Sequence, residues 1–167
     1  MKKVLLIAAM VACSAQAADL DLTNIRVKNS EFDSSISYAG PNVRGSVVGS
    51  TLLATELQVH RNKSTGSLSW MVVLGANYTA PWRYYDNASL SGGKLIPAAD
   101  VDRTVGSCAY GSCDLGESVW LRLDQDDVRK GLAEGLKLRW NARSGYGSFE
   151  VELSQAYFAA MAEAAKR

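Results

Sequence analysis

Two cysteines in the middle of the chain could form a disulfide, bind a metal or carry out redox chemistry. Cys108 and Cys113 enclose a short segment, Ala109-Tyr110-Gly111-Ser112. A zinc site needs about four ligands, and the only histidine, His60, lies far away in sequence. A thioredoxin-type site has two residues between its cysteines and a helix start after them. The spacing therefore favours a structural disulfide that fixes a turn, and we expect neither a metal nor a cofactor.

Glu117 is an acidic residue whose position predicts burial. It shares its parity with Val119 and Leu121, so its carboxylate points toward the core side of a strand, close to the predicted disulfide. A buried carboxylate needs a partner, and Arg103 is one candidate. This pattern favours an ion pair or a backbone cap over catalysis. A glycosidase would need a second inward carboxylate across a cleft, and the sequence identifies none.

The densest group of aromatic residues is Trp82-Arg83-Tyr84-Tyr85. In an exported protein such a group is typical of a surface that binds sugar or protein, because flat rings bury area at little entropic cost. The alternative is strand alternation. In that interpretation Trp82 and Tyr84 point into the core, while Arg83 and Tyr85 point outward.

Trp120 has the opposite parity to its strand neighbours Val119 and Leu121, so it faces either a second layer or solvent. If it is exposed, it is a better binding candidate than Trp82. The candidate binding residues are Trp82, Arg83, Tyr85, Trp120 and Glu117. A single site requires that the three rings and the carboxylate converge on one exposed concavity.

Other catalytic or metal-binding patterns are weak. His60 lies at the polar end of a strand, and no G-x-S-x-G pattern surrounds any serine, so a Ser-His-Asp site is not indicated. Residues 124–127 contain three aspartates but lack the glycine and the distal glutamate of a calcium loop. Asp124 and Asp127 instead have the spacing of a helix N-cap with a capping box.

The first residues predict export. Met1-Lys2-Lys3 is a short basic start, residues 4–12 are apolar, and Ala15-Gln16-Ala17 is a small-residue exit, so we expect cleavage after Ala17. The apolar run is shorter than the roughly 20 residues that cross a bilayer. In the alternative interpretation, Met10-Val11-Ala12-Cys13 is a lipoprotein signal. Cys13 would then be acylated and would tether the protein to the outer membrane.

Composition limits the partners. Cleavage after Ala17 leaves 150 residues, with 16 basic against 17 acidic side chains. This near-neutral balance does not indicate nucleic acid or an anionic membrane as a partner, and no later segment is apolar enough to span a membrane. We expect a signal peptide over 1–17, a polar segment with edge strands over 18–50 and a disulfide-stapled, strand-rich part over 51–167. Residues 18–167 are expected to form one domain.

Two-residue alternation predicts strands through most of the chain. It is clearest in a hairpin over 53–74 and in a second one over 137–153 that turns at 144–147. In the second hairpin we expect Trp140 to face Val151. A short helix near 125–134, with Val128 and Leu132 as its apolar face, and a C-terminal helix capped by Ser154 complete the pattern. The fold class is mainly β (α+β): an antiparallel β-sandwich or open barrel with two helices.

The order of these features resembles that of a loose group of small exported bacterial proteins of unassigned function. The shared features are Trp82-Arg83-x-Tyr85, then Cys108-x4-Cys113, then Glu117 at the head of a strand, and a terminal helix with Tyr157. The resemblance covers about residues 51–165 and implies an envelope protein with a stapled strand core. It implies no ligand and no active site.

Together these observations favour a non-enzymatic binding or interaction protein of the bacterial envelope, periplasmic or secreted, whose partner is a protein or a glycan. One alternative is an inhibitor or immunity protein against a secreted enzyme. Another is a glycan-active hydrolase that uses Glu117.

The export signal makes a direct prediction. We expect intact-mass spectrometry of the protein secreted by a bacterial host to give a mature chain that begins at Ala18. A diacylglyceryl group on Cys13 would instead identify a lipoprotein and contradict cleavage after Ala17.

Overall fold

The computed structural model describes residues 21–44, 52–79, 81–143 and 147–167. The predicted signal peptide, Cys13 and most of the predicted turn at 144–147 lie outside these residues. The elements in chain order are β1 (Arg26–Lys28), β2 (Ser35–Ala39), β3 (Val43–Arg44), β4 (Leu52–Asn62), β5 (Leu68–Thr79), β6 (Tyr85–Leu90), β7 (Leu95–Ala109), β8 (Ser112–Leu123), α1 (Gln125–Glu134), β9 (Leu136–Ala142), β10 (Phe149–Leu153) and α2 (Gln155–Lys166). The mainly β fold class with two helices is confirmed.

The strands form one antiparallel sheet. Their order is β1-β2-β4-β5-β8-β7-β6-β9-β10, and β3 pairs with β4 next to β2. Because there is one continuous sheet, the open-barrel alternative describes the fold and the two-sheet sandwich does not. The strands of the predicted N-terminal polar segment join this sheet through β4.

The sheet curls until strands from distant positions in its order meet. Trp140 of β9 donates from its indole Nε1 to Thr55 Oγ1 of β4 at 3.0 Å, although four strands separate β9 from β4 along the sheet. Both side chains are fully buried. At the sheet's far end, β10 lies beside β3. The result is a half-barrel with its core on the concave side.

Alternation decides which side chains reach that core. On β8, Glu117, Val119 and Leu121 are buried, whereas Ser118 and Trp120 between them face the convex, outer side and are partly exposed. The predicted parity of this strand is therefore confirmed. The same alternation on β5 buries Trp70 and its inward neighbours.

Helix α2 covers the concave side beside β2 and β4. Tyr157 is fully buried, and its hydroxyl accepts a hydrogen bond from the Leu57 amide (3.0 Å) and donates one to the Pro41 carbonyl (2.6 Å). Burial raises the pKa of Tyr157, so its hydroxyl remains a donor. The tyrosine thereby ties the helix to the place where the chain passes from β2 to β3. Neither helix in the described part of the chain is long and apolar enough to cross a membrane.

The predicted register of the last hairpin is wrong by two residues. Trp140 pairs with Phe149, and Val151 pairs with Leu138. The faces are nevertheless correct, because a shift by two keeps every side chain on its side of the sheet. Alternation alone cannot distinguish such registers.

The ends of α1 agree with the sequence. The Asp124 side chain accepts from the Asp127 amide, the capping box is complete, and Gly135 ends the helix at φ 81°. Lys94 Nζ lies 2.6 Å from Asp124 Oδ2 and 2.7 Å from Asp127 Oδ1. The hydrogen bond from Lys94 lowers the pKa of Asp124 to about 2. These aspartates therefore serve the helix cap, as predicted.

The predicted apolar face of α1 is only half right. Val128 is partly buried against the core, but Leu132 is 37% exposed. The buried contact runs through Gly131, where an added Cβ would overlap the ring of Phe158 in α2. Phe158 in turn stacks on Trp70, with ring centres 5.8 Å apart. A glycine thus permits the close approach of the two helices.

This close approach predicts an inverted effect of alanine. Gly131→Ala should lower the free energy of unfolding by about 1–3 kcal/mol, although alanine is the better helix former, because Phe158 has no room to move. The matched control is Ala133→Gly on the exposed side of α1, which should cost about 1 kcal/mol through helix propensity alone. Urea unfolding measures both. A Gly131→Ala protein that is more stable than wild type would contradict the packing.

Candidate functional site

The segment Trp82-Arg83-Tyr84-Tyr85 wraps around the buried carboxylate of Glu117. Tyr84 has φ 53°, in the left-handed region that a residue with a Cβ seldom adopts. Glu117 Oε1 accepts from the Tyr84 amide at 3.0 Å, and Oε2 accepts from the Tyr85 amide at 3.1 Å. The amide of Arg83 donates to the Tyr78 hydroxyl at 2.9 Å. Three consecutive backbone N–H groups are therefore satisfied by one buried acid and its tyrosine neighbour.

Glu117 has two further partners. The Tyr78 hydroxyl donates to its Oε1, and Arg103 Nε donates to its Oε2 at 2.9 Å. Glu117 is 1% exposed, and Arg103 is its direct cross-strand partner on β7. The ion pair with Arg103 that the sequence suggested is thus present. Burial raises the pKa of Tyr78, and the hydrogen bond to Glu117 adds to this effect.

The network continues from Arg103 to the surface. Arg103 Nη2 donates to Asp86 Oδ1 at 2.6 Å, and Arg143 donates to the other oxygen of the same carboxylate. The guanidinium carbons of Arg103 and Arg143 lie 5.0 and 5.2 Å from the centre of the Tyr84 ring. Burial alone would lower the pKa of Arg103, but hydrogen bonds to Asp86 and Glu117 outweigh burial and raise it. Glu117, Arg103, Asp86 and Arg143 therefore each have an opposite charge beside them.

This arrangement supports structure better than catalysis. A general acid or nucleophile must reach a substrate, and Glu117 lies in the core with hydrogen bonds to both of its oxygens. Backbone strain at a residue such as Tyr84 costs about 1–3 kcal/mol and persists only where its surroundings hold it. Here the Glu117 carboxylate holds Tyr84 in this conformation by accepting hydrogen bonds from the amides of Tyr84 and Tyr85. It caps the backbone, which was one of the roles expected from the sequence.

The expected alternation in the aromatic segment is wrong for the two tyrosines. Tyr85 is fully buried, whereas Tyr84 is 37% exposed. The left-handed backbone conformation at Tyr84 interrupts the strand alternation just before β6 begins, so the Tyr84 side chain faces solvent and the Tyr85 side chain faces the core. Trp82 does pack against the core, partly buried, and Arg83 lies with its guanidinium carbon 4.6 Å from the centre of the Tyr78 ring.

The candidate residues do not converge on one concavity. Trp82, Arg83, Tyr85 and Glu117 belong to the cluster just described. Trp120 lies on the outer face of the sheet, away from Glu117, so the hypothesis of a single site fails. The physical reason is parity, because neighbours at an odd spacing on β8 point to opposite faces.

Trp120 instead lines a shallow groove of about 670 Å³ on that outer face. We call it the Trp120 groove; it is lined among others by Gln58, His60, Met71, Asp100, Trp120 and Arg122. Cross-strand register builds it, since Met71 of β5 pairs with both Gln58 and Arg122, and Trp120 pairs with Asp100. Within the described residues neither the Trp120 indole N–H nor the Arg122 guanidinium has a hydrogen bond or ion pair.

Sequence reasoning missed most of this groove and half of the Glu117 cluster, which comprises Glu117, Tyr78, Tyr84, Tyr85, Asp86, Arg103 and Arg143. Gln58, Met71 and Arg122 all have outward parity on predicted strands, but only the strand order brings them together. Asp86 and Arg143 are 57 residues apart, and no local signal joins them. Such contacts depend on long-range pairing.

The disulfide prediction is confirmed. Cys108 and Cys113 are bonded and are direct cross-strand partners at the tip of the β7–β8 hairpin. Tyr110 and Gly111 form its turn, both at positive φ, and the Tyr110 side chain is fully exposed. No group of three histidine, cysteine, aspartate or glutamate side chains in the described ranges could hold a metal ion.

Comparison with known protein families, with curated proteins and with solved structures finds no match for this chain. The resemblance to small exported bacterial proteins therefore stays a prediction. Any inference about function depends on the chemistry of the residues themselves.

Buried charge at Glu117 makes a stability prediction. Glu117→Gln keeps the shape but places an amide NH₂ either against the donors of Tyr78 and Tyr84 or against those of Arg103 and Tyr85, and it leaves Arg103 without its buried counter-charge. The free energy of unfolding should therefore fall by about 2–4 kcal/mol. Urea unfolding followed by tryptophan fluorescence measures the change.

The matched control is Glu152→Gln on β10. Glu152 forms an exposed ion pair with Lys137 at 3.2 Å, so this change should stay within about 0.5 kcal/mol. Equal effects of the two substitutions would show that Glu117 is not the anchor of its cluster.

Proposed function

We propose that this chain is an exported, non-enzymatic binding protein of the bacterial envelope, and that it binds its partner through the Trp120 groove. The observation that carries the proposal is Trp120 itself. A large aromatic side chain lies on the outer face of the sheet, opposite Val73 and in the same groove as Met71, with its indole N–H unpaired among the described residues. Tryptophan is among the residues most enriched at the centres of binding surfaces, together with tyrosine and arginine.

Export is supported by two independent features. The first residues have the layout of a secretory signal. The Cys108–Cys113 disulfide belongs to oxidising compartments such as the periplasm or the cell exterior. The lipoprotein alternative through Cys13 differs only in whether the protein is tethered.

The burial of Glu117 favours binding over catalysis. The hydrolase alternative needs an accessible acid and a second carboxylate across a cleft. Glu117 lines neither the Trp120 groove nor the groove between β1, β2 and α2. The Trp120 groove holds one carboxylate, Asp100, and its floor is the outer face of the sheet.

A second candidate function is an inhibitor or immunity protein that uses the tip of the β7–β8 hairpin. Tyr110 is fully exposed there, and the disulfide holds the turn that presents it. A rigid loop loses little entropy when it enters an enzyme cleft, which favours tight binding.

One affinity experiment tests both candidates. Immobilised wild-type protein, Trp120→Ala and Tyr110→Ala are incubated with bacterial envelope extract, and the retained material is analysed. We expect Trp120→Ala to lose retention by at least about tenfold while Tyr110→Ala behaves like wild type.

The opposite pattern, loss with Tyr110→Ala alone, would support the inhibitor function and contradict the Trp120 groove. Equal retention by all three proteins would contradict both. Circular dichroism checks that each variant is folded. We expect both to fold, because Trp120 lies on the outer face of the sheet and Tyr110 lies in an exposed turn.

A further inference from the structure

The lining of the Trp120 groove combines apolar and neutral polar chemistry. Trp120 and Met71 offer an apolar patch. The hydroxyl of Ser69 and the side-chain carbonyl of Gln58, whose amide nitrogen donates to Glu56, lie beside it on neighbouring strands. A sugar ring has the complementary surface, with an apolar C–H face that stacks on indole and hydroxyls around its edge that bind amides and carboxylates.

Charge in the groove is balanced. Asp100 and Arg122 lie on either side of Trp120, one on β7 and one on β8, and their charges cancel. The third titratable group, His60, is hydrogen-bonded to Ser37 at 2.9 Å, and burial lowers its pKa, so it is neutral at pH 7. A groove without net charge has no electrostatic attraction for an anionic polymer such as nucleic acid.

The length of the groove indicates an elongated ligand. Its lining comes from five adjacent strands, from Ser35 on β2 to Asp100 on β7. At about 4.8 Å between neighbouring strands, it extends for about 19 Å. This is longer than one sugar ring and matches a short chain of them.

An extended peptide fits this groove less well. Peptides that lie along sheets gain affinity from backbone hydrogen bonds to an open strand edge. The central strands of the groove, β4, β5 and β8, are each paired on both sides and offer no such edge. A ligand here must bind through side chains alone.

We propose that the ligand of the Trp120 groove is an uncharged oligosaccharide that lies across strands β2, β4, β5, β8 and β7. This inference rests on the proposed function and adds the class of ligand. Trp120 stacks on a sugar ring, and Arg122, Asp100 and Gln58 bind its hydroxyls.

Titration with defined sugars tests this assignment. Chitooligosaccharides and maltooligosaccharides of one to six units are added to the full protein, and binding is followed by calorimetry. We expect affinity to increase with chain length up to about four units, to fall at least about tenfold in Trp120→Ala, and to be unchanged in Tyr110→Ala. Raising the salt concentration from 0.05 to 0.5 M should change the affinity less than about twofold, because no ionic contact forms.

Retention of envelope extract that has been treated either with protease or with a reagent that destroys glycans distinguishes a failure of this inference from a failure of the proposed function. We expect the material retained through Trp120 to survive protease and to be lost after trifluoromethanesulfonic acid, which cleaves glycosidic bonds and leaves peptide bonds intact. Trp120-dependent material that is lost with protease and survives this acid would identify a protein partner, which overturns the oligosaccharide but keeps the binding groove. A strong salt dependence would also overturn the uncharged ligand. If wild type and Trp120→Ala retain the same material, the proposed function fails as well.

Discussion

The buried carboxylate of Glu117 is the constraint on which the sheet's connection between β5 and β6 depends. A lone buried charge would be far too costly, so the acid requires hydrogen-bond donors around it. The chain supplies Arg103 across the strand pair, the Tyr78 hydroxyl, and the amides of Tyr84 and Tyr85. The last two fix the strained turn that leads into β6. The acid thus serves the fold by holding a loop that no regular secondary structure holds.

The curl of the sheet depends on contacts of the same kind, in which one polar atom joins elements distant in sequence. The Trp140 indole binds Thr55 across the concave side, and the Tyr157 hydroxyl joins α2 to the chain at Pro41 and Leu57. All buried side-chain polar atoms in the described ranges have a partner. Because these bonds are shielded from water, each loss leaves an unsatisfied group and costs more than the bond itself stabilises.

Curling gives the two faces of the sheet different roles. The concave face is filled by the core, by α2 and by the Glu117 cluster, except for a groove between β1, β2 and α2. The convex face is open, and outward positions on neighbouring strands meet there in register to form the Trp120 groove. Substitutions on the outer face leave the core contacts in place, since alternation separates these side chains from those inside. Changes at Trp120 or Arg122 are therefore compatible with an unchanged fold.

By itself, the sequence determined the local features of this protein. Alternation placed most strands and their faces, cap residues placed both helices, and cysteine spacing predicted the disulfide, because each of these signals depends on neighbours within a few positions. The burial of Glu117 and its pairing with Arg103 also followed, since both flank one hairpin.

Only the tertiary structure decided strand order, the register of the last hairpin and the reversed tyrosines at 84 and 85. Each of these depends on pairing between distant segments or on one unusual backbone angle. The two-residue alternation cannot distinguish registers that differ by two residues, because all of them leave each side chain on the same face of the sheet. Glu117 is the clearest case. Its parity predicted a buried acid, but the partners that make burial tolerable come from 14 to 39 residues away, and only folding brings them together.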